Sequence, residues 1–190
     1  MAFPANKTTG KAVADIKALF FYKFADNSNS EPTISSSLTS DKWFPVITLR
    51  GTVNVDQDDV SIEKINIDQS NMPIGITTEP GDFNFEAVLP SLAATDLAKW
   101  LTPSSTAINF EGKQGYGYDI DGEVIEASVL VQTRTGDTLI FPHCMVSVVF
   151  NKEDKVFGLR LTGQVLGHTN ADNKDVYVLA DPYVAPNNPG

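Results

Sequence analysis

The cleanest change of hydrophobic period in the chain falls between Gly81 and Pro103. Phe83, Phe85, Ala87 and Leu89 recur at every second position against Asp82, Asn84 and Glu86, the pattern of a strand with one buried face. Pro90 forbids continuation of the ladder and Ser91 can cap a helix. Leu92, Ala93, Leu97, Trp100 and Leu101 then follow at helical spacing until Pro103. The spacing predicts one helix over residues 91–102, apolar on one side. So short a helix is marginal alone and must lie against a surface supplied by strands.

Elsewhere the pattern is β. In 13–24, VADIKALFFYKF, the alternation of Ala14, Ile16, Ala18, Phe20, Tyr22 and Phe24 favours a strand over a helix. Residues 25–41 are polar and predict a loop, or a segment ordered only by a neighbour. After Trp43, Ile47, Leu49, Gly51, Val53 and Val55 share one side while Thr48, Arg50, Thr52 and Asn54 share the other. This predicts a strand of roughly 30 Å with a bend or bulge at Gly51. The Asp56–Asp59 run reads as a turn and Val60–Asp68 as the returning strand of an extended hairpin. Residues 69–80, QSNMPIGITTEP, have the composition of an arm, with Met72, Ile74 and Ile76 outward. Ala107–Phe110 predicts a short strand, followed by the glycine-rich EGKQGYGYDIDG.

Strands are then expected at Glu123–Thr133, at Leu139–Phe150 with Pro142 demoting its start, at Val156–Leu166 and at Val176–Leu179. Turns fall at Thr135–Asp137 and Lys152–Lys155, and Phe157, Leu159, Leu161 and Val165 point inward. The expected fold class is mainly β: a β-sandwich or partly open barrel with one flanking α-helix and an extended β-hairpin arm, in a single domain over 1–190.

Composition narrows the function classes. A 190-residue chain that is 42% hydrophobic can bury roughly 70% of its unfolded surface in one core. With 14 basic against 24 acidic residues and a net charge of -10, a basic face gripping nucleic-acid phosphates is not expected, whereas repulsion of nucleic acid is. Cys144 stands alone in an apolar run, so neither a disulfide framework nor a paired-cysteine metal site is expected. MAFPANKTTGK lacks an apolar leader pattern and Ala18–Tyr22 is too short to span a bilayer, so synthesis in the cytoplasm and no membrane partner are expected.

Candidate chemistry is thin. His143 follows a proline at a strand start, His168 sits in a polar turn, and Cys144 would point away from its neighbour His143. Asp119-Ile120-Asp121-Gly122 has the alternate carboxylates of a calcium loop, but Glu123 and Glu126 fall at the wrong offsets for its closing ligand, and an Asp-Gly hairpin turn accounts for it. Asp56, Asp58 and Asp59 read first as a charged turn. No catalytic residue, metal site or cofactor is expected.

The GTVNVDQDD turn followed by SIEKINID, the acidic step into GDFNFEAVLP, the helix SLAATDLAKWL and the meander of strands after it resemble the major tail tube proteins of long-tailed phages. The relatives of that family include the tube-forming component of type VI secretion systems. The resemblance covers most of residues 43–180. It implies a non-enzymatic virion protein that assembles with itself into six-membered rings, stacked as a hollow tube through which DNA passes without specific binding. Assembly would begin in the host cytoplasm, and other tail proteins would meet the tube ends. It further implies an arm reaching the adjacent ring, matched here by Met72, Pro73, Ile74 and Ile76, and an acidic lumen, for which Asp56, Asp58 and Asp59 are the candidates. The alternative is a carbohydrate- or surface-binding β-sandwich, with Trp43, Phe44, Tyr116 and Tyr118 as the source of a stacking platform.

Overall fold

The computed structural model describes residues 16–34, 42–59, 61–65, 75–79, 81–90, 97, 100–101, 107–118, 123–153 and 156–179. The chain is mainly β, and its principal sheet curls into a half-barrel. In chain order the elements are β1 (Ile16–Lys23), α1 (Phe24–Asn27), β2 (Phe44–Val46), β3 (Asn54–Gln57), β4 (Ser61–Ile65), β5 (Gly75–Glu79) and β6 (Phe83–Leu89). They continue with β7 (Ala107–Phe110), β8 (Lys113–Tyr116), β9 (Glu123–Thr133), β10 (Thr138–Glu153), β11 (Val156–Val165) and β12 (Tyr177–Leu179). The principal sheet runs β2-β1-β9-β10-β11-β6-β3, and β12 pairs with the first residues of β10, Thr138 to Ile140; β4-β5 and β7-β8 are separate two-stranded sheets. Every pairing is antiparallel.

Two cores flank the sheet. Leu19, Phe21, Phe85, Ala87, Ala127, Val129, Phe141, Val146, Val148, Leu159 and Leu161 pack on one face together with Trp100 and Leu101. Each of the fully buried Val, Leu and Phe side chains contributes about 1.5–3 kcal/mol by leaving water. Phe21 meets Trp100 edge to face at 4.8 Å. Leu97 and Trp100 are helical, and the Leu101 N–H donates to the Leu97 carbonyl at 2.7 Å. The remainder of the expected 91–102 helix lies outside the described residues. The second core lies on the opposite face, where Phe20, Tyr22, Leu130 and Ile140 are covered by Phe24, Ile34 and Trp43. Of residues 25–41 only 25–34 are described, and these are not a plain loop. The chain leaves β1 through one helical turn, and Glu31 and Ile34 are buried, so that 31–34 are held by their neighbours, the second of the two expected outcomes.

Four expectations need correction. The long 47–55 strand is interrupted: the Thr52 N–H donates to Leu49 O at 3.2 Å, and Gly51 takes φ +80, a left-handed value that glycine adopts without penalty. Its hairpin partner is also different, since β3 pairs with β6 while β4 pairs with β5. The alternation there was compatible with either partner, because each has one apolar face. Strand β10 starts at Thr138 and runs through Pro142, which sits at a bulge between Phe141 and Cys144, and it extends to Glu153, into the expected Lys152–Lys155 turn. Phe157 is not inward. It lies on the packed side of β11 beyond the end of the core, 53% exposed and stacked on Phe150 at 6.1 Å.

Candidate functional site

Three of the large apolar side chains that the fold leaves exposed, Val124, Met145 and Val149, lie together on one part of the principal sheet. Directly opposed residues of antiparallel strands share a face, so the pairings define ranks across five strands. One rank is Glu126, Met145, Gln164, Asn84 and Asp56; the next is Val124, Ser147, Thr162, Glu86 and Asn54. A third joins Val149, Arg160 and Val88, and is closed by the burial of Val88. The alternate residues Ile125, Val146, Gly163, Phe85 and Val55 point into the core. Gly163 is required there: a Cβ on it would stand 2.0 Å from the Phe85 ring.

This open face is divided in character. On the β9-β10 side Val124, Met145 and Val149 form an apolar stripe around Ser147, exposed by 60%, 43% and 40%. On the β11-β6-β3 side the residues are polar. Arg160 donates to Glu86 Oε1 from Nε and Nη2, both at 2.6 Å, an ion pair open enough to water to add at most about 1 kcal/mol. Asp56, Glu86 and Glu126 outnumber the single cation Arg160 in these ranks. A shallow depression of ≈ 230 Å³ lies over Met145, Val124, Thr162 and Gln164.

Among the described residues the sheet stays open at its ends, β2 and β3, three and four residues long. Short edge strands limit uncontrolled pairing but leave backbone groups for a partner. The β4-β5 hairpin pairs with nothing else among the described residues, and a two-stranded ribbon is marginal alone. Of the expected arm residues, Ile76 sits in β5 opposite Lys64, while Met72, Pro73 and Ile74 lie outside the described residues. Of the acid trio, Asp56 is on the open face. Asp58 and Asp59 follow β3 and are exposed; Asp58 donates its N–H to Asp82 O at 2.9 Å and accepts from Asn84 Nδ2 at 3.5 Å.

The histidines and the cysteine have structural surroundings. His143 is buried beside Phe24, its Nδ1 3.1 Å from Gly167 O and its Nε2 3.5 Å from Glu126 Oε2 without a formed hydrogen bond. Cys144 faces the other way into the first core, where burial pushes its thiol far above the ordinary range. Asp175 accepts from the His168 backbone N–H at 3.0 Å and from its ring Nδ1 at 2.5 Å, which hold its carboxyl below the usual value. Among the described residues no group of three or more His, Cys, Asp or Glu could hold a metal ion. Trp43 is buried and Tyr118 packs against the first core, its phenol raised by burial and then by Tyr116; only Tyr116 of that pair is well exposed.

One polar cluster was not anticipated. Glu31 is buried, and its Oε2 accepts from Thr169 N at 2.5 Å, Thr169 Oγ1 at 2.8 Å and Asn170 N at 3.2 Å. Its Oε1 accepts from Asn173 Nδ2, which also donates to Pro32 O at 2.8 Å, while Asn173 Oδ1 accepts from Ile34 N at 3.0 Å. Burial alone would raise the Glu31 carboxyl, but the bonds from Asn173, Thr169 and Asn170 outweigh it and hold the group below its ordinary value. The clasp fastens 31–34 over the second core. Nothing local in the sequence marks it, since its halves are separated by more than a hundred positions. The open-face stripe did leave a trace, because β9 and β10 carry apolar residues at both parities, as a strand covered on both sides does. No protein-family model matches the chain, and no curated protein does so either.

Proposed function

We propose that the chain is a self-assembling structural subunit, a tail tube protein of a long-tailed phage or prophage. In this reading its rings, six-membered by the resemblance, stack around a bore that conducts DNA. The observation that carries it is the open face on a curled sheet that does not close on itself. The apolar stripe of Val124, Met145 and Val149 calls for cover by a neighbouring copy. The polar side with Asp56 and Glu86 suits a bore from which phosphates are repelled, so that DNA slides without sticking. The short open edges at β2 and β3 and the separate β4-β5 hairpin support the same reading. Met72, Pro73, Ile74 and Ile76 are the proposed contacts to the adjacent ring, and other tail proteins would bind the ends.

Negative-stain electron microscopy and sedimentation of the purified protein test this. Rings or tubes are the expected result, and a well-folded protein that stays strictly monomeric at high concentration refutes it. A glycan-binding module needs several exposed rings side by side, and with Tyr118 packed inward that reading has the weaker support.

A further inference from the structure

Three separate backbone devices bring cations to one place. Lys17 is the extra residue of a bulge in β1, between the pairs Ile16↔Thr133 and Ala18↔Gln132. Arg50 precedes the left-handed Gly51 in the Leu49–Thr52 turn. Arg134 opens the β9-β10 turn, which closes through Thr133 N to Asp137 O at 2.9 Å. All three line a pocket of ≈ 240 Å³ whose apolar floor is Ile16, Leu49 and Val53. In a chain with 14 basic residues and a net charge of -10, such a convergence is a local concentration of positive charge. Bulges and glycine turns of this kind re-aim side chains.

The opposite charge gathers at the far end of β6. Asp58, Asp59 and Asp82 are exposed at a corner fixed by the Asp58 N–H to Asp82 O bond and by the close approach of Gly81, where a Cβ would stand 1.9 Å from Asp58 O. The cationic pocket lies by the other end, where Leu49 N donates to Val88 O at 2.7 Å. Six residues of strand separate Asp82 from Val88, about 20 Å at 3.3 Å each. The Debye length at physiological salt is about 8 Å, so within one copy the two poles barely feel one another.

We infer that the pocket of Lys17, Arg50 and Arg134 is a socket for carboxylates of a second copy of this chain, supplied by its Asp58-Asp59-Asp82 corner. The inference rests on the self-assembly reading and gives it a direction. A socket and a plug on different parts of one surface make a heterologous, head-to-tail contact, the kind that closes into rings. Like-charged copies repel overall, so a cationic pocket facing an acidic corner favours this one orientation.

The test uses two charge reversals of the full chain, Lys17→Glu with Arg50→Glu in one variant and Asp58→Lys with Asp59→Lys in the other. All four positions are exposed, and circular dichroism checks that each variant folds. Sedimentation equilibrium should find each variant alone associating at least about tenfold more weakly than the unaltered protein, a loss of about 1.4 kcal/mol. An equimolar mixture should recover association, because each altered socket then meets an altered plug. Variants that associate like the unaltered protein overturn the socket and leave self-assembly standing. Weakened variants whose mixture does not recover overturn this pairing of socket and corner. An unaltered protein that remains monomeric removes the assembly reading and the socket together.

Discussion

Replacing Glu31 by Gln keeps its shape and removes its charge. Four hydrogen bonds end on this carboxylate, from Thr169 N, Thr169 Oγ1, Asn170 N and Asn173 Nδ2. A glutamine amide accepts through one oxygen only, so at least one donor then faces another donor. Bonds to a charged acceptor contribute about 1.5–3 kcal/mol each, but Thr169 and Asn170 can turn to water, whereas Asn173 is buried and cannot. The expected loss at pH 7 is about 2–3 kcal/mol. For a 190-residue chain that lowers the melting temperature by about 4–12 °C. The pH dependence has a definite sign. The folded carboxyl is held below its ordinary value of 4.5, so the clasp stabilises fully above that pH and is lost as pH falls through the folded value. The gap between Glu31→Gln and the unaltered protein should therefore be full at neutral pH and shrink in acid. Thermal unfolding followed by tryptophan fluorescence suits the measurement, since Trp43 packs in the core that the clasp covers. A gap under about 0.5 kcal/mol at pH 7, or one that stays constant well below pH 4.5, refutes the argument.

Two further outcomes follow from the packing. Gly163→Ala puts a methyl 2.0 Å from the buried Phe85 ring and should cost about 1–3 kcal/mol in denaturant unfolding, while Gly115→Ala, whose nearest contact would be 3.8 Å away, serves as the strand-glycine control; equal costs would show that the Phe85 ring yields. The Cys144 thiol is fully buried with its ionisation suppressed, so a disulfide reagent should label it only as fast as the protein unfolds, and rapid labelling of the native state contradicts its placement.

The sequence carried most of the strands because their information is local. In β6, β9 and β11 the alternation or apolar run, bounded by proline or turn residues, is sufficient to place a strand within a residue or two. Pairing was not local, and there the reading of the Asp56–Asp59 turn failed. A turn between two alternating segments looks like a hairpin, but β3 finds its partner at β6, beyond the intervening β4-β5 hairpin. Phe157 failed for a related reason. Parity correctly assigned its face, but no pattern in β11 tells where the core ends beneath that face. Of the candidate site, Asp56 was legible as an exposed acid. The grouping of Glu126, Met145 and Asp56 in one rank depends on the order β9-β10-β11-β6-β3, and the meeting of Lys17, Arg50 and Arg134 on a bulge and two turns far apart in sequence.

The two halves of β10 show why cover from outside is worth seeking. In the first half, Phe141 enters one core and Ile140 the other, and the sequence is apolar at both parities because both faces are covered. In the second half, Val146 and Val148 still enter the first core, but the opposite parity holds Met145, Ser147 and Val149, with Val124 beside them on β9. A strand meant to face water on that side would alternate cleanly to polar residues, as β11 does with Thr162 and Gln164. The sequence of β9 and β10 thus continues a two-sided pattern past the point where this chain's described segments supply the second cover. Single exposed apolar residues need no explanation. Three that are neighbours across two paired strands, on a sheet whose end strands have no further partner among the described residues, fit the proposed cover by another copy.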